Sequence, residues 1–361
     1  MRITFLMPHA GMAGGNRVIA IYAGHLIQRG HFVEVISQPP AKPTLYDRLN
    51  GLLFRGSWTG VAETAPYFKD LNVPLRVIER RRPVVNDDAP DADIVIATWW
   101  ETAEWVAELS AKKGAKAYFV QHHEIFPYLP VERCKRSYRL PLRKIVISKW
   151  LKDLMENEYG EKNVPLVPNS VDQTQFFSEP RGMQEIPTVG FLYSTVPFKA
   201  VDVSLSALDL AKRQIGSLRA IAFGAEPISP KLPLPAWVEY HHLPAQDQLR
   251  KLYSQCDVWL CGSRSEGFHL PPLEAMACRC AVVSTRVGGP LDTVRDGING
   301  FLADVDDEVG LSEGLIKVLR QNESEWERMS AAALATATCY TWEDAAILFE
   351  QALKDITQGY E

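Results

Sequence analysis

Two glutamates, Glu266 and Glu274, flank a turn in the stretch SEGFHLPPLEAMA, residues 265–277. A carboxylate offers two acceptor oxygens, which suits a pair of vicinal hydroxyls such as those of a ribose. Between the acids lie Gly267, Phe268, His269 and Leu270, then a Pro-Pro pair. Proline suits the first turn of a helix, and the free N–H groups of such a turn favour anions. The pattern reads as a grip, with Glu274 on a ribose, turn amides on a diphosphate and Glu266 on a second polyol. Taken alone, the spacing also fits two solvated acids at the start of a helix.

Chemistry on a sugar diphosphate also needs positive charge where the leaving group forms. Lys199, in VPFKAVD, stands between a strand-like run and a helical pattern; by itself it also fits a solvated surface lysine. Near the start, GMAGGN carries Gly14 and Gly15, which permit close backbone approach, and Asn16, which fits a helix cap. A dinucleotide site would want G-x-G-x-x-G and an acid ending the second strand. That strand ends VISQPP instead, so NAD binding is excluded. His122 and His123 end the run YFVQHHEIFP with only Glu124 beside them, a poor zinc set, and no metal is expected. Ser148 reads as a helix cap and Asn169 as a turn-former. Gly224, ending LRAIAFG, leaves room for a nucleotide to pass.

These residues need a scaffold. Apolar runs rich in Val and Ile, with little alternation, recur at RITFLMP, HFVEVIS, ADIVIAT, KAYFVQ, KIVIS and VPLVPN. They fit parallel strands covered on both faces. The rhythm restarts after residue 187 with TVGFLYS, LRAIAFG, VWLCGS and CAVVST, and helical patterns fall at about 201–213, 246–254, 272–278 and 308–320. Two such blocks predict an α/β chain with two doubly wound domains, at 1–180 and 181–340, and a last helix over 341–361 that packs back on the first. Ligands collect at the carboxyl ends of such strands.

The 361 residues and a formal charge of −5 fit two domains and argue against nucleic-acid binding. Six scattered cysteines form no CxxC pair and read as buried thiols, hence a reducing compartment. Met1 leads straight into a short strand without a long apolar run, so a cytoplasmic protein is expected.

The stretch EGFHLPPLEAMACRCAVVSTRVGG resembles the signature of the GT-B retaining glycosyltransferases of family 4. AGGNRV, VISKWL, VPNSVDQTQFF, FKAVDVSLSAL, LPAQDQLRKLYSQCDVWL and DGINGFL extend the likeness over most of the chain. The resemblance implies two Rossmann-like domains facing a cleft and transfer from a nucleotide-diphosphate sugar, UDP being the commonest, with retention and without a metal or other cofactor. It places Glu274 on the nucleotide ribose and Glu266 on the donor sugar. It puts the amides of Phe268 to Leu270 on sugar and diphosphate, with Gly267 also at the donor, and Lys199 on the diphosphate. His122, with His123 as the other choice, would face the sugar. Gly15 and Asn16 would lie between diphosphate and acceptor, and His242 or Leu243, in HHLP, beside the base. Two departures stand out. His269 occupies a position where the family often has glycine, and Tyr193 one where it usually has arginine. Tyr193 would then offer only a phenol, and Arg264 is the candidate replacement cation.

The acceptor, a glycan or a lipid-linked one, is expected on the first domain. RLNGLLFRGSWTGV (48–61) and the six basic residues of RCKRSYRLPLRK (133–144) suggest peripheral membrane contact, or ordinary solvated surfaces. Trp99, Trp100 and Trp105 read as core before sugar platform. Two other classes stay open. One is a sugar-nucleotide-binding protein of the same fold without activity, motivated by Tyr193. The other is a different GT-B enzyme, an epimerase or an inverting transferase.

Overall fold

In the computed structural model, residues 1–41 and 66–359 are described. The chain folds as two compact units, one of Met1–Val167 with Glu343–Glu361 and a second of Pro168–Trp342.

The first unit carries strands β1 (Arg2–Met7), β2 (Phe32–Ser37), β3 (Leu75–Val77), β4 (Ile94–Ala97), β5 (Ala115–Val120) and β6 (Arg143–Val146). All pair in parallel, in the order β3-β2-β1-β4-β5-β6. Its helices are α1 (Gly14–Gln28), α2 (Tyr67–Asp70), α3 (Trp100–Glu108), α4 (Val131–Ser137) and α5 (Lys149–Asn157). β4 is buried at every position, as its unbroken IVIA run requires of a strand with two covered faces. VPLVPN does not become a strand: Pro165 and Pro168 each lack an N–H, and only Leu166 bridges to Val146.

The second unit repeats the plan. Strands β7 (Thr188–Leu192), β8 (Arg219–Gly224), β9 (Val238–His242), β10 (Val258–Cys261), β11 (Ala281–Thr285) and β12 (Gly300–Ala303) lie in the order β12-β11-β10-β7-β8-β9, again parallel. Read from the other edge, this is the same 3-2-1-4-5-6 winding, which reverses direction between its first and fourth strands. The helices are α6 (Val201–Ile215), α7 (Gln246–Ser254), α8 (Leu270–Ala277), α9 (Pro290–Thr293), α10 (Glu308–Leu319) and α11 (Glu323–Thr338). Helix α11 escaped the sequence reading; its Trp326 is fully buried and donates to Asp257 O at 3.2 Å.

The chain ends in α12 (Trp342–Gln358), which contributes to the first unit from Glu343 on. Phe349 lies 6.2 Å from Phe5, 4.7 Å from Tyr22 and 5.0 Å from Phe119, and Arg29 pairs with Glu343 and Glu350. The sequence set the domain boundary after residue 180, whereas packing draws it after Val167. Ser170 Oγ donates to Tyr340 O, and Phe176 packs edge-on to Tyr253, so residues 168–180 are tied to the second unit.

Candidate active site

In the second unit, β7 and β10 are neighbours with Phe191 opposite Leu260, and the winding reverses between them. The loops leaving their carboxyl ends therefore start side by side. The first holds Lys199, in the turn Pro197–Lys199; Ala200 then takes a left-handed conformation and α6 begins. The second holds Ser263 to His269 and runs into α8, whose second residue is proline.

These loops bring Lys199 and Glu266 together. The ammonium lies 2.8 and 2.9 Å from the two carboxylate oxygens, and Ser263 Oγ donates to Oε1 at 2.7 Å. Glu266 is 5% exposed. Burial works against its ionisation, but a protonated His269, Lys199 and the Ser263 hydroxyl favour the carboxylate, and its pKa is held down at about 2. His269 itself falls to about 4, first through burial, with Lys199 adding and Glu266 opposing. At neutral pH the ring is uncharged, and Lys199 and Ser263 keep Glu266 ionised. The loop fits only because of Gly288 and Gly289 after β11. A β-carbon at Gly288 (φ 50°) would meet Glu266 Cβ at 2.8 Å, and one at Gly289 would strike Phe268 O, to which Gly289 N donates at 2.7 Å.

Glu274, one turn into α8, is 6% exposed and accepts from the Tyr253 hydroxyl of α7 at 2.8 Å. Tyr253 and Ser263 were missed in the sequence. The signal for Ser263 is its place three residues before Glu266, at a strand end; nothing local points to Tyr253, which meets Glu274 only through helix packing.

Several expected residues have other work. Tyr193 is 1% exposed in the core; its hydroxyl donates to Leu232 O at 2.9 Å and accepts from Ser229 N at 2.8 Å. Both partners lie in the segment that follows β8, and in this structure they occupy the phenol's donor and one acceptor site. Arg264 forks onto Asp202 at 3.0 Å and Asp306 at 2.6 Å, so its charge is paired in this structure. At Gly224 a β-carbon would strike Tyr193 O, so the backbone of β8 passes close to the end of β7 there. His242 ends β9 on an exposed edge, and Leu243 (φ 49°, 58% exposed) donates its N–H to Gly224 O at 2.7 Å.

In the first unit, Gly14 and Gly15 open α1 directly after the β1 loop. Asn16 is not the cap: its amide donates to His9 O at 2.9 Å and Gly11 O at 2.8 Å, stapling that loop. His122 places Nδ1 3.0 Å from His123 O and packs on Phe126. His123 points elsewhere, its Nε2 2.8 Å from the Tyr159 hydroxyl. Ser148 heads α5 but its Oγ makes no cap bond. Trp100 and Trp105 are buried. In 133–144, Arg133 pairs with Glu104, Lys135 with Glu132 and buried Lys144 with Glu161, so at least three of the six basic residues are ion-paired. The stretch 48–61 lies outside the described residues. Among those described, no group of three or more His, Cys, Asp or Glu is placed to hold a metal, and no helix is long and apolar enough to cross a membrane.

Comparison with known proteins bears on the fold. Residues 12–175 match the family described as Glycosyltransferase Family 4, and residues 173–335 that described as Glycosyl transferases group 1. Sucrose-phosphate synthase from Thermosynechococcus elongatus superposes with a TM-score of 0.74 over 99% of this chain and 100% of that one, at 15% identity. The fold is GT-B. Anabaena Alr3699/HepE, solved in complex with UDP-glucose, matches this GT-B chain equally well, at 0.74 over 99% and 100% with 16% identity. In sequence, the D-inositol 3-phosphate glycosyltransferase of Mycobacterium ulcerans is 31% identical over 191 residues, taking in 48% of this chain and 41% of that protein. The chain thus spans less than half the length of the curated relatives it matches.

The His269 environment makes a pH prediction. The native ring binds its proton only near 4, whereas an unfolded histidine does so near 6.5. Between those values the unfolded chain binds more protons, so stability falls as pH falls. A loss of order 2 kcal/mol is expected from this residue between pH 6.5 and 4. Urea midpoints measured across that window will show it, and the slope should flatten in His269→Asn.

Proposed function

We propose that this chain is a retaining glycosyltransferase that moves a sugar from a nucleotide-diphosphate donor, UDP-linked by first choice, to a hydroxyl of a glycan or lipid-linked acceptor. The observation that carries the reading is the Lys199–Glu266 pair at the strand-order switch of the second unit, beside the first turn of α8. The anomeric C–O bond to the diphosphate breaks, a new one forms to the acceptor oxygen, and the acceptor proton passes to the departing phosphate. Lys199 and the α8 amides stabilise the leaving charge. Glu266 holds the sugar, Glu274 the ribose, and His122 the separating positive charge. The reaction needs no metal, so turnover should survive a chelator. UDP is favoured because the structural neighbour HepE was solved with UDP-glucose. The protein works in the cytoplasm; with at least three of the six basic residues of 133–144 ion-paired, a membrane role for that stretch loses support.

Thermal-shift measurements with UDP-, GDP- and dTDP-sugars test the donor assignment. Stabilisation by one nucleotide class is expected, and none by any would overturn it. The commitment of Tyr193 to the core favours one rival, a binding protein without activity. Donor hydrolysis separates the two, and anomeric NMR couplings of the product separate retention from inversion.

A further inference from the structure

His269 holds a left-handed backbone conformation, φ 70° and ψ 83°. A β-carbon is rarely tolerated there, and glycine would sit without strain. Such strain persists where surrounding contacts over-determine it, so an observed outlier points to a role. The ring is fixed on one side: Nδ1 lies 3.0 Å from Cys261 Sγ and 3.6 Å from Glu266 Oε1, and the side chain is 4% exposed. On the other side, Nε2 is buried and has no hydrogen-bond partner in the protein. Burial, and then the Glu266 charge, push the Cys261 thiol pKa up, so the sulfur keeps its proton; His269 Nδ1 at 3.0 Å is the nearer of its two acceptors, with Ser263 Oγ at 3.6 Å. With Nδ1 accepting from that thiol, the ring proton falls on Nε2.

We propose that Cys261 locks His269 in the Nε2–H form, and that this N–H donates to a hydroxyl oxygen of the sugar being transferred, so that the pair decides which sugars the site accepts. The assignment rests on the transferase reading above. His269 would contact the sugar; Cys261 acts through it, as a positioning residue. A neutral ring suits a hydroxyl, while the diphosphate has Lys199 and the α8 amides. A buried N–H without a partner is unfavourable, and it is satisfied when an acceptor oxygen arrives. Sites built on such a bond discriminate strongly against ligands that lack the partner.

The test begins with calorimetric titration of the full chain with UDP-glucose, UDP-N-acetylglucosamine and GDP-mannose, and with UDP and GDP alone. The tightest sugar nucleotide and its bare nucleotide are then carried through the variants. His269→Gly, which removes both ring and strain, should weaken the sugar nucleotide about tenfold and the bare nucleotide less than threefold. Cys261→Ala should weaken the sugar nucleotide by a smaller factor, and Cys261→Ser, which keeps a donor, should restore it. Histidine 15N shifts of the wild type should report the Nε2–H form. Equal losses for sugar nucleotide and bare nucleotide, or none, would overturn the sugar contact. An Nδ1–H tautomer, or a Cys261→Ala variant that binds like wild type, would overturn the lock. Failure of every nucleotide and sugar nucleotide to bind wild type is a separate result, which removes the transferase reading and this assignment with it.

Discussion

Replacing Lys199 with alanine is expected to cut turnover about 100- to 1,000-fold, the range seen when one fixed stabiliser of transition-state charge is lost. The same substitution has a second consequence. Lys199 contacts both oxygens of Glu266, a buried carboxylate, so its removal leaves that charge without its cation. Breaking a buried pair from one side destabilises by several kcal/mol, here reduced because the lysine is 21% exposed. A double-mutant comparison separates the two effects. Adding Glu266→Gln to Lys199→Ala should restore much of the thermal midpoint, since no unpaired charge remains, while turnover stays low. A near-normal rate in Lys199→Ala would mean that the leaving group is stabilised from elsewhere. Steady-state rates and thermal melts on the four proteins decide between these outcomes.

Replacing Glu274 with alanine should weaken nucleotide binding by about 1–3 kcal/mol, because ribose hydroxyls lose a charged acceptor. The effect belongs to the nucleotide and not to the sugar, so UDP and a UDP-sugar should lose affinity equally. That distinguishes Glu274 from His269, for which the sugar nucleotide should lose more. The hydroxyl of Tyr253 donates to Glu274 Oε2 at 2.8 Å and fixes the carboxylate's orientation. Tyr253→Phe should therefore show a smaller loss, about 0.5–1.5 kcal/mol. Unchanged affinity of Glu274→Ala in calorimetry would remove the ribose role.

Much of this protein was legible in its sequence, because the relevant signals are local. Unbroken apolar runs such as IVIA and VWLC fit strands covered on both faces, and the four helical patterns expected in the second block all become helices. The turn running into α8 was legible for the same reason, since its acids, turn and prolines lie within thirteen consecutive residues. Short β3 and the edge strands β9 and β12 escaped, as did α11, because edge strands carry little apolar pattern and α11 is mostly small or charged residues. VPLVPN misled because its apolar pattern outweighed two prolines that cannot donate to a ladder.

The partners of residues beyond that local stretch were set by tertiary packing. By itself the sequence determined the two-fold repeat of a doubly wound plan and the Glu266–Glu274 motif. Tertiary structure decided that Lys199, sixty-seven positions before Glu266, meets its carboxylate, since only the neighbouring of β7 and β10 brings their loops together. It also decided that Tyr193 and Arg264 spend their polar groups on Ser229, Leu232, Asp202 and Asp306. A side chain's type fixes which bonds it can make; which partner claims them depends on distances that arise only when remote segments pack.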